Sequence, residues 1–287
     1  MLVLGFPDYA PQARSLAAAL GVPYAQVDVH VFPDGESKLT LPTGLPRHVV
    51  ICRSLDHPND KLIELMLATE CARSLGAARF TLVAPYLCYM RQDIAFTPGE
   101  AVSQRIVGGF LAERFDAVIT ADPHLHRIGS LEEAVPAERA VSVSAAPAMG
   151  AFLATRDARP LLVGPDLESE QWVEVVGDVA GLDHVVAQKK RHGDTDVEVC
   201  LPDHDFKGRD VVLVDDMAST GRTIAGAARE LRAAGARRID VLVTHALFVG
   251  DAMEALKEAG VTDVWSSDSV PHPSNAFPLA TVLASRV

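Results

Sequence analysis

Short apolar, β-branched runs alternate along this chain with Ala- and Leu-rich stretches of helical length, and that alternation restricts the fold more than any other feature. Val49–Cys52, Phe80–Ala84, Ala117–Thr120, Leu161–Gly164, Val211–Val214 and Asp240–Thr244 read as strands. Asp8–Leu20, Asn59–Leu75, Ala101–Arg114, Glu168–Val176, Arg222–Ala234 and Ala252–Ala259 read as helices. Strands without polar alternation are buried on both faces, so the pattern predicts an α/β protein with a mainly parallel sheet flanked by helices. With 287 residues, 48% of them hydrophobic, the chain is long enough for two such domains. A faint internal echo agrees: Leu82-Val83-Ala84-Pro85-Tyr86 resembles Leu162-Val163-Gly164-Pro165-Asp166, and Val118–Asp122 resembles Leu213–Asp216 with its strand. Apolar strands resemble one another in any α/β protein, so the echo by itself carries little weight. The expected division is 1–142 and 143–287.

Composition removes several classes of function. A formal net charge of −12 opposes general binding to nucleic acid, which needs a broad basic face. No apolar run approaches the roughly 20 residues that span a bilayer, and Met1–Gly5 lacks the basic flank of a secretory signal, so a cytoplasmic protein without membrane contact is expected. Cys52, Cys71, Cys88 and Cys200 have no Cys-x-x-Cys spacing, which argues against a zinc site or a disulfide framework. Cations serving an anionic ligand must then be local. Arg91, Lys189-Lys190-Arg191 and Arg222 are the candidates.

The most informative segment is Val211-Val212-Leu213-Val214-Asp215-Asp216-Met217-Ala218-Ser219-Thr220-Gly221-Arg222-Thr223, ahead of an Ala-rich helix. A buried strand, a turn of small residues and a helix start put backbone N–H groups and hydroxyls beside the positive end of a helix dipole, where a phosphate binds. Two carboxylates would repel that phosphate. Asp215 and Asp216 are better suited to accept hydrogen bonds from sugar hydroxyls or to hold a metal-bound water. An isolated Asp-Asp pair could simply open a turn, but the strand, the span and the Thr-Gly-x-Thr ending agree on a ligand loop. No Gly-x-x-x-x-Gly-Lys is present, so it is not a Walker loop. Between Gln188 and Gly208 the helix–strand pattern breaks into a charged stretch, as expected of a mobile functional loop or a hairpin.

Asp215–Thr223 resembles the phosphoribosyl pyrophosphate loop shared by type I phosphoribosyltransferases and ribose-phosphate pyrophosphokinases. Further segments resemble the second family, in its order and from about residue 30 onward, especially its shorter archaeal-type members. Phe32-Pro33-Asp34-Gly35-Glu36 is similar to its Phe-x-Asp-Gly-Glu element. Arg91-Gln92-Asp93 with Phe96–Glu100 is similar to its nucleotide segment, Asp122-Pro123-His124 to Asp-Leu-His, Gly164-Pro165-Asp166 to a metal-site aspartate, and Lys189-Lys190-Arg191 to a Lys-x-Arg loop.

The resemblance implies two similar type I phosphoribosyltransferase-like domains and transfer of the β,γ-diphosphate of ATP to the 1-hydroxyl of ribose 5-phosphate, with Mg2+. It implies Lys189 and Arg191 as catalytic residues, and Phe32, Asp34, Glu36, Arg91, Gln92, Asp93 and His124 at ATP. It further implies Asp215, Asp216, Ser219, Thr220, Gly221, Arg222 and Thr223 at ribose 5-phosphate, and His124 and Asp166 at the metal. His124, Asp166 and Asp215-Asp216 all follow strands, so convergence in one crevice is expected. The Phe32–Glu36 element is expected to reach a neighbouring subunit's ATP, making a homodimer the smallest competent unit. A phosphoribosyltransferase and a non-catalytic homologue are the alternatives, and the presence of the Lys-x-Arg segment favours an enzyme. The other histidines, among them His57, His184 and His245, receive no role.

Overall fold

The computed structural model describes residues 1–125, 127–191 and 197–287, apart from the side chains of 189–191, 197 and 198. The chain forms two compact units, Met1–Val143 with Leu279–Val287, and Ser144–Pro278. In the first, β1 (Leu2–Gly5), α1 (Ala10–Leu20), β2 (Tyr24–Gln26), β3 (Asp28–Val31), β4 (Ser37–Thr40), β5 (His48–Cys52), α2 (Pro58–Ser74), β6 (Arg79–Val83), α3 (Ser103–Ala112), β7 (Ala117–Ala121), α4 (Leu131–Ala134) and β8 (Arg139–Val143) follow in order. The second contains α5 (Ala146–Ala154), β9 (Leu161–Gly164), α6 (Glu170–Ala180), β10 (His184–Val186), β11 (Gln188–Arg191), β12 (Val197–Cys200), β13 (Asp210–Ala218), α7 (Arg222–Ala233), β14 (Arg238–Ala246), α8 (Ala252–Glu258), β15 (Val264–Ser267) and β16 (Asn275–Phe277). Finally α9 (Ala280–Ala284) returns to the first unit and packs on α1, where Leu279 and Leu283 are buried. The sequence reading assigned these last residues to the second domain.

Each unit is a six-stranded parallel sheet, in the orders β2-β1-β5-β6-β7-β8 and β10-β9-β13-β14-β15-β16. Numbered within its own sheet, each reads 2-1-3-4-5-6. Each also carries an antiparallel hairpin, β3–β4 or β11–β12, inserted between its second and third strands. The duplication that the sequence only hinted at is therefore repeated in topology. Local details agree. The first strand of each unit ends in a glycine, and an added Cβ would lie 2.6 Å from Ala13 Cβ at Gly5 and 2.4 Å from Ser169 Oγ at Gly164, so the next helical segment closes onto the strand only there. The next backbone bond also repeats: Val27 N donates to Gly5 O at 2.9 Å, and Ala187 N to Gly164 O at 2.8 Å.

Helices cover the sheets through apolar stripes. In α7, Ile224, Ala225, Ala227, Ala228 and Leu231 are buried at spacings of three and four, against Val211, Leu213, Ile239 and Val241 of the sheet. In the first unit Leu65, Ala68 and Ala72 of α2 and Leu111 of α3 join Val49, Ile51, Phe80, Leu82 and Val118. Fully burying a Val, Leu, Ile or Phe side chain contributes roughly 1.5–3 kcal/mol, so these stripes hold the strand ends and the loops built on them.

Candidate active site

The phosphate-type loop lies at the C-terminal end of β13. That strand continues through Asp215 and Asp216 to Ala218, beyond the boundary at Val214 read from the sequence, because its backbone stays paired with β14 as far as Ala218↔Ala246. Strand alternation sends the two carboxylates to opposite faces; Asp216 is buried and Asp215 is partly exposed. Asp215 Oδ1 accepts from Asp216 N at 2.9 Å. The turn is then only Ser219-Thr220-Gly221. Gly221, at φ +67°, caps α7, which starts at Arg222. Ser219 and Thr223 are partly exposed, and Thr220 and Arg222 are exposed. Leu247 N and Phe248 N both donate to Ala218 O, and Val249 N donates to Ser219 O, which fixes the carbonyls that lead into the turn.

The first unit has a different chemistry at the equivalent place. Leu2 pairs with Val49 as Leu161 pairs with Val211, so Arg53 and Ser54 stand where the second unit has Asp215 and Asp216. From the aligned position to the helix start the first unit has five residues, 53–57, and the second has seven, 215–221, of which 215–218 still belong to β13. The buried Arg53 guanidinium forms ion pairs with Asp8 at 3.1 Å and Glu64 at 2.6 Å and lies 4.1 Å from the Phe6 ring centroid. Lys61 Nζ donates to Ser54 O and Asp56 Oδ1 beside this turn. Internal cations serve this turn, and the hydroxyl-bearing Ser219-Thr220-Gly221 turn is its counterpart in the second unit.

The Phe32–Glu36 element is the tip of the β3–β4 hairpin. Phe32 N donates to Glu36 O, Gly35 N to Phe32 O and Glu36 N to Asp34 Oδ1, which closes a compact turn. Phe32 is 40% exposed and Val31 59%, so the tip presents apolar side chains as well as carboxylates to the outside. Just behind the tip, where Ser37 pairs with Val31, the hairpin is tied down by Ser37 Oγ donating to Glu64 Oε1 at 2.8 Å.

Arg91-Gln92-Asp93 lies after β6, and the structure separates its members. Arg91 is exposed. Gln92 Oε1 accepts from Ser103 Oγ at 2.7 Å, at the start of α3. Asp93 is buried, its Oδ1 paired with the half-exposed Arg127 at 2.6 Å, while its buried Oδ2 has no hydrogen-bond partner among the described residues. Sequence reasoning passed over Arg127, since nothing in a linear motif joins positions 93 and 127. Nearby, Glu100 accepts backbone bonds from Phe96 N and Thr97 N, which hold its carboxyl below the usual range. His124 follows β7 with φ +43°, and Asp122 has φ +35°. Two non-glycine residues in the left-handed region within three positions mark a strained backbone of the kind that collects at ligand sites.

Asp166 follows β9, the neighbour of β13, so the second unit brings it to the same sheet edge as Asp215 and Asp216. Its Oδ1 accepts from Glu168 N and Ser169 N and caps the short helix Leu167–Ser169. His124 belongs to the other unit. Among the described residues no group of three or more His, Cys, Asp or Glu side chains could hold a metal by itself. Lys189 and Arg191 have their backbones on β11 of the β11–β12 hairpin; their side chains lie outside those described, as does the stretch 192–196. The charged stretch after Gln188 thus begins as a hairpin strand.

The family model described as the N-terminal domain of ribose phosphate pyrophosphokinase matches residues 1–114, and that of the phosphoribosyl transferase domain matches residues 148–284. The ribose-phosphate pyrophosphokinase of Methanopyrus kandleri is 37% identical over 100% of this chain and 98% of its own length. Ribose-phosphate pyrophosphokinase 2 of Archaeoglobus fulgidus is 31% identical over 100% of both chains. The fold is that of the phosphoribosylpyrophosphate synthetase crystal structure from Mycobacterium smegmatis, with a TM-score of 0.81, 24% identity, and 99% and 96% of the two chains covered.

Proposed function

The chain belongs to the ribose-phosphate pyrophosphokinase family, and from that premise we propose how its residues divide the work. The reaction is transfer of the β,γ-diphosphate of ATP to the 1-hydroxyl of ribose 5-phosphate, giving phosphoribosyl pyrophosphate and AMP. Similarity through both units to ribose-phosphate pyrophosphokinases supports this activity over that of a phosphoribosyltransferase, and the Lys189–Arg191 segment favours an enzyme over a binding-only homologue.

The observation that carries the assignment of roles is the Ser219–Gly221 turn at the end of β13, with Ser219 and Thr220 accessible and Arg222 and Thr223 following at the start of α7. The 5-phosphate binds to the turn amides and to the hydroxyls of Ser219, Thr220 and Thr223, with Arg222 adding charge. Asp215 and Asp216 accept from ring hydroxyls and leave the 1-hydroxyl free. That oxygen attacks the β-phosphorus in line, its proton passes to solvent, and the bond from the β-phosphorus to the bridging oxygen breaks. Its electron pair leaves on the α-phosphate of AMP. Lys189 and Arg191 stabilise the charge that builds on the transferring group, where a preplaced cation acts more strongly on the transition state than on the ground state. Arg91 and His124 contact the nucleotide, and Gln92 and Asp93 hold that segment in shape.

Mg2+ usually keeps several waters and substrate phosphates as ligands, so one or two protein donors would suffice, and Asp166 and His124 would serve that limited part. When bound, the ion neutralises phosphate charge. The cytoplasm is the compartment assigned to the enzyme, in keeping with metabolic relatives; no helix among the described residues is long and apolar enough to cross a membrane.

Phe32, Asp34 and Glu36 serve a neighbouring subunit's ATP, with a homodimer as the smallest competent unit. Their support is the exposed, apolar hairpin tip. Complementation tests the division. An Asp34→Ala/Glu36→Ala variant and a Lys189→Ala variant, the latter reduced at least about a hundredfold in kcat as for loss of one transition-state charge donor, should regain activity when subunits exchange. Verified mixed oligomers as inactive as both parents would refute the shared site.

A further inference from the structure

His245 carries no motif, is 1% exposed, and lies one strand from the phosphate-type turn. In the β13–β14 register it is opposite Met217, and Asp215 is opposite Val243, so His245 lines the sheet face that carries Asp215. Its Nδ1 lies 2.9 Å from Ser269 Oγ. The direction of that bond follows from a proton count. Ser269 Oγ donates to Thr244 O at 2.8 Å, and without a proton this oxygen–oxygen contact would set two lone pairs against each other. The hydroxyl's single proton is therefore committed, and His245 Nδ1–H must be the donor.

The network then closes. Ser267 Oγ also donates to Thr244 O, at 2.6 Å, and accepts from Ser269 N at 3.1 Å, so Thr244 O has two donors. Thr244, His245, Ser267 and Ser269 are all at most 1% exposed. In so dry a place a satisfied polar network holds one arrangement, and a broken one leaves groups unpaired at a cost. Immediately beyond it, β14 ends and Leu247, Phe248 and Val249 donate their amides to Ala218 O and Ser219 O. Phe248, at φ +33°, is held in a conformation unfavourable for its residue type. The brace and the phosphate-type turn are thus joined by three residues of backbone.

We propose that His245, through Ser269, is a positioning residue for ribose 5-phosphate: it fixes the end of β14 whose amides set the Ala218 and Ser219 carbonyls and hence the phosphate turn. This inference rests on the reading of Ser219–Thr223 as the ribose 5-phosphate loop. It separates recognition of the sugar phosphate from recognition of ATP, and it assigns the donor atom.

The test compares KM for ribose 5-phosphate, KM for ATP and the melting temperature in His245→Leu, His245→Asn, Ser269→Ala and Thr223→Val. Breaking the His245–Ser269 hydrogen bond should raise KM for ribose 5-phosphate about tenfold in His245→Leu, and at least as much in Ser269→Ala, which also loses the bond to Thr244 O, with KM for ATP moving less than about twofold. Asn places its Nδ2–H where His has Nδ1–H, so His245→Asn should recover most of the loss. If His245→Leu does not fold, Ser269→Ala, which removes the hydroxyl that accepts from His245 and donates to Thr244 O, carries the comparison. Parallel increases in both KM values, or an Asn variant as impaired as Leu, would reduce His245 to a fold-stabilising role and overturn the proposal. Thr223→Val separates the two layers. Raised KM for ribose 5-phosphate in Thr223→Val with no change in His245→Leu or Ser269→Ala sinks the brace alone, while no change in Thr223→Val sinks the loop reading itself.

Discussion

Replacing Gly221 by alanine should damage ribose 5-phosphate recognition more than it damages the fold. Gly221 stands at φ +67°, where an L-residue costs roughly 1–2 kcal/mol. The added Cβ would meet Ala252 O at 3.5 Å and Ala252 Cβ and Leu256 Cγ at 3.6 Å, all ordinary contacts, so no steric clash adds to the backbone cost. Gly235 is a matched control on a turn away from the site: its φ is +87° and its nearest new contact is 3.5 Å from Lys207 Cγ. Both alanine variants should therefore lose about 1–2 kcal/mol, or roughly 2–8 °C in melting temperature for units of this size. Only Gly221→Ala can relieve its strain by turning the peptide planes that would face the phosphate. If that relief misaligns one phosphate contact, KM for ribose 5-phosphate should rise about tenfold, the equivalent of 1.4 kcal/mol. AMP release measured against each substrate in turn, beside thermal melts, gives all the quantities. Equal KM values for ribose 5-phosphate in the two variants would refute the reasoning, as would a change confined to KM for ATP.

Arg53→Ala should destabilise the protein by about 3–5 kcal/mol, because the buried Glu64 carboxylate would lose its ion pair. Urea denaturation reads this, and a loss below about 1 kcal/mol would show that the pair is replaceable. Burial pushes the Cys88 thiol up to about 12 from an ordinary 9.0. Folded Cys88 then keeps a proton that the unfolded chain releases, so stability should fall as pH rises from about 9 toward 12. Denaturation midpoints of the wild type and Cys88→Ala should diverge less in that window than at pH 7, and a constant difference would contradict the assignment.

Much of the fold was legible because its central strands are apolar on both faces: Val49–Cys52, Ala117–Thr120 and Leu161–Gly164 form strands within a residue of the expected limits. The three-residue strands β2, β10 and β16 were not legible, being shorter than any periodicity can register. The β3–β4 hairpin has no fully buried residue, and only Val29 and Leu39 pack partly on the core, too few to leave a pattern. Charge hid the end of β13, since Asp215-Asp216 reads as a turn although the backbone stays in register with β14. In the candidate site, motif residues could be proposed because they are contiguous. The residues that hold them are far apart in sequence. Arg127 is joined to Asp93, Glu64 to Arg53 and Ser269 to His245 only by the fold. The left-handed Asp122 and His124 are likewise a property of backbone closure that residue type does not announce.

The central claim is that one chain couples a sugar-phosphate loop to diphosphoryl transfer from ATP. Phosphorus NMR of the protein with ATP, Mg2+ and either ribose 5-phosphate or ribose tests it most directly. The account predicts AMP and a sugar diphosphate in equal amounts from ribose 5-phosphate, and almost no turnover with ribose, which lacks the anion held at Ser219–Thr223. ADP with a sugar monophosphate ester, or equal use of the two sugars, would contradict it.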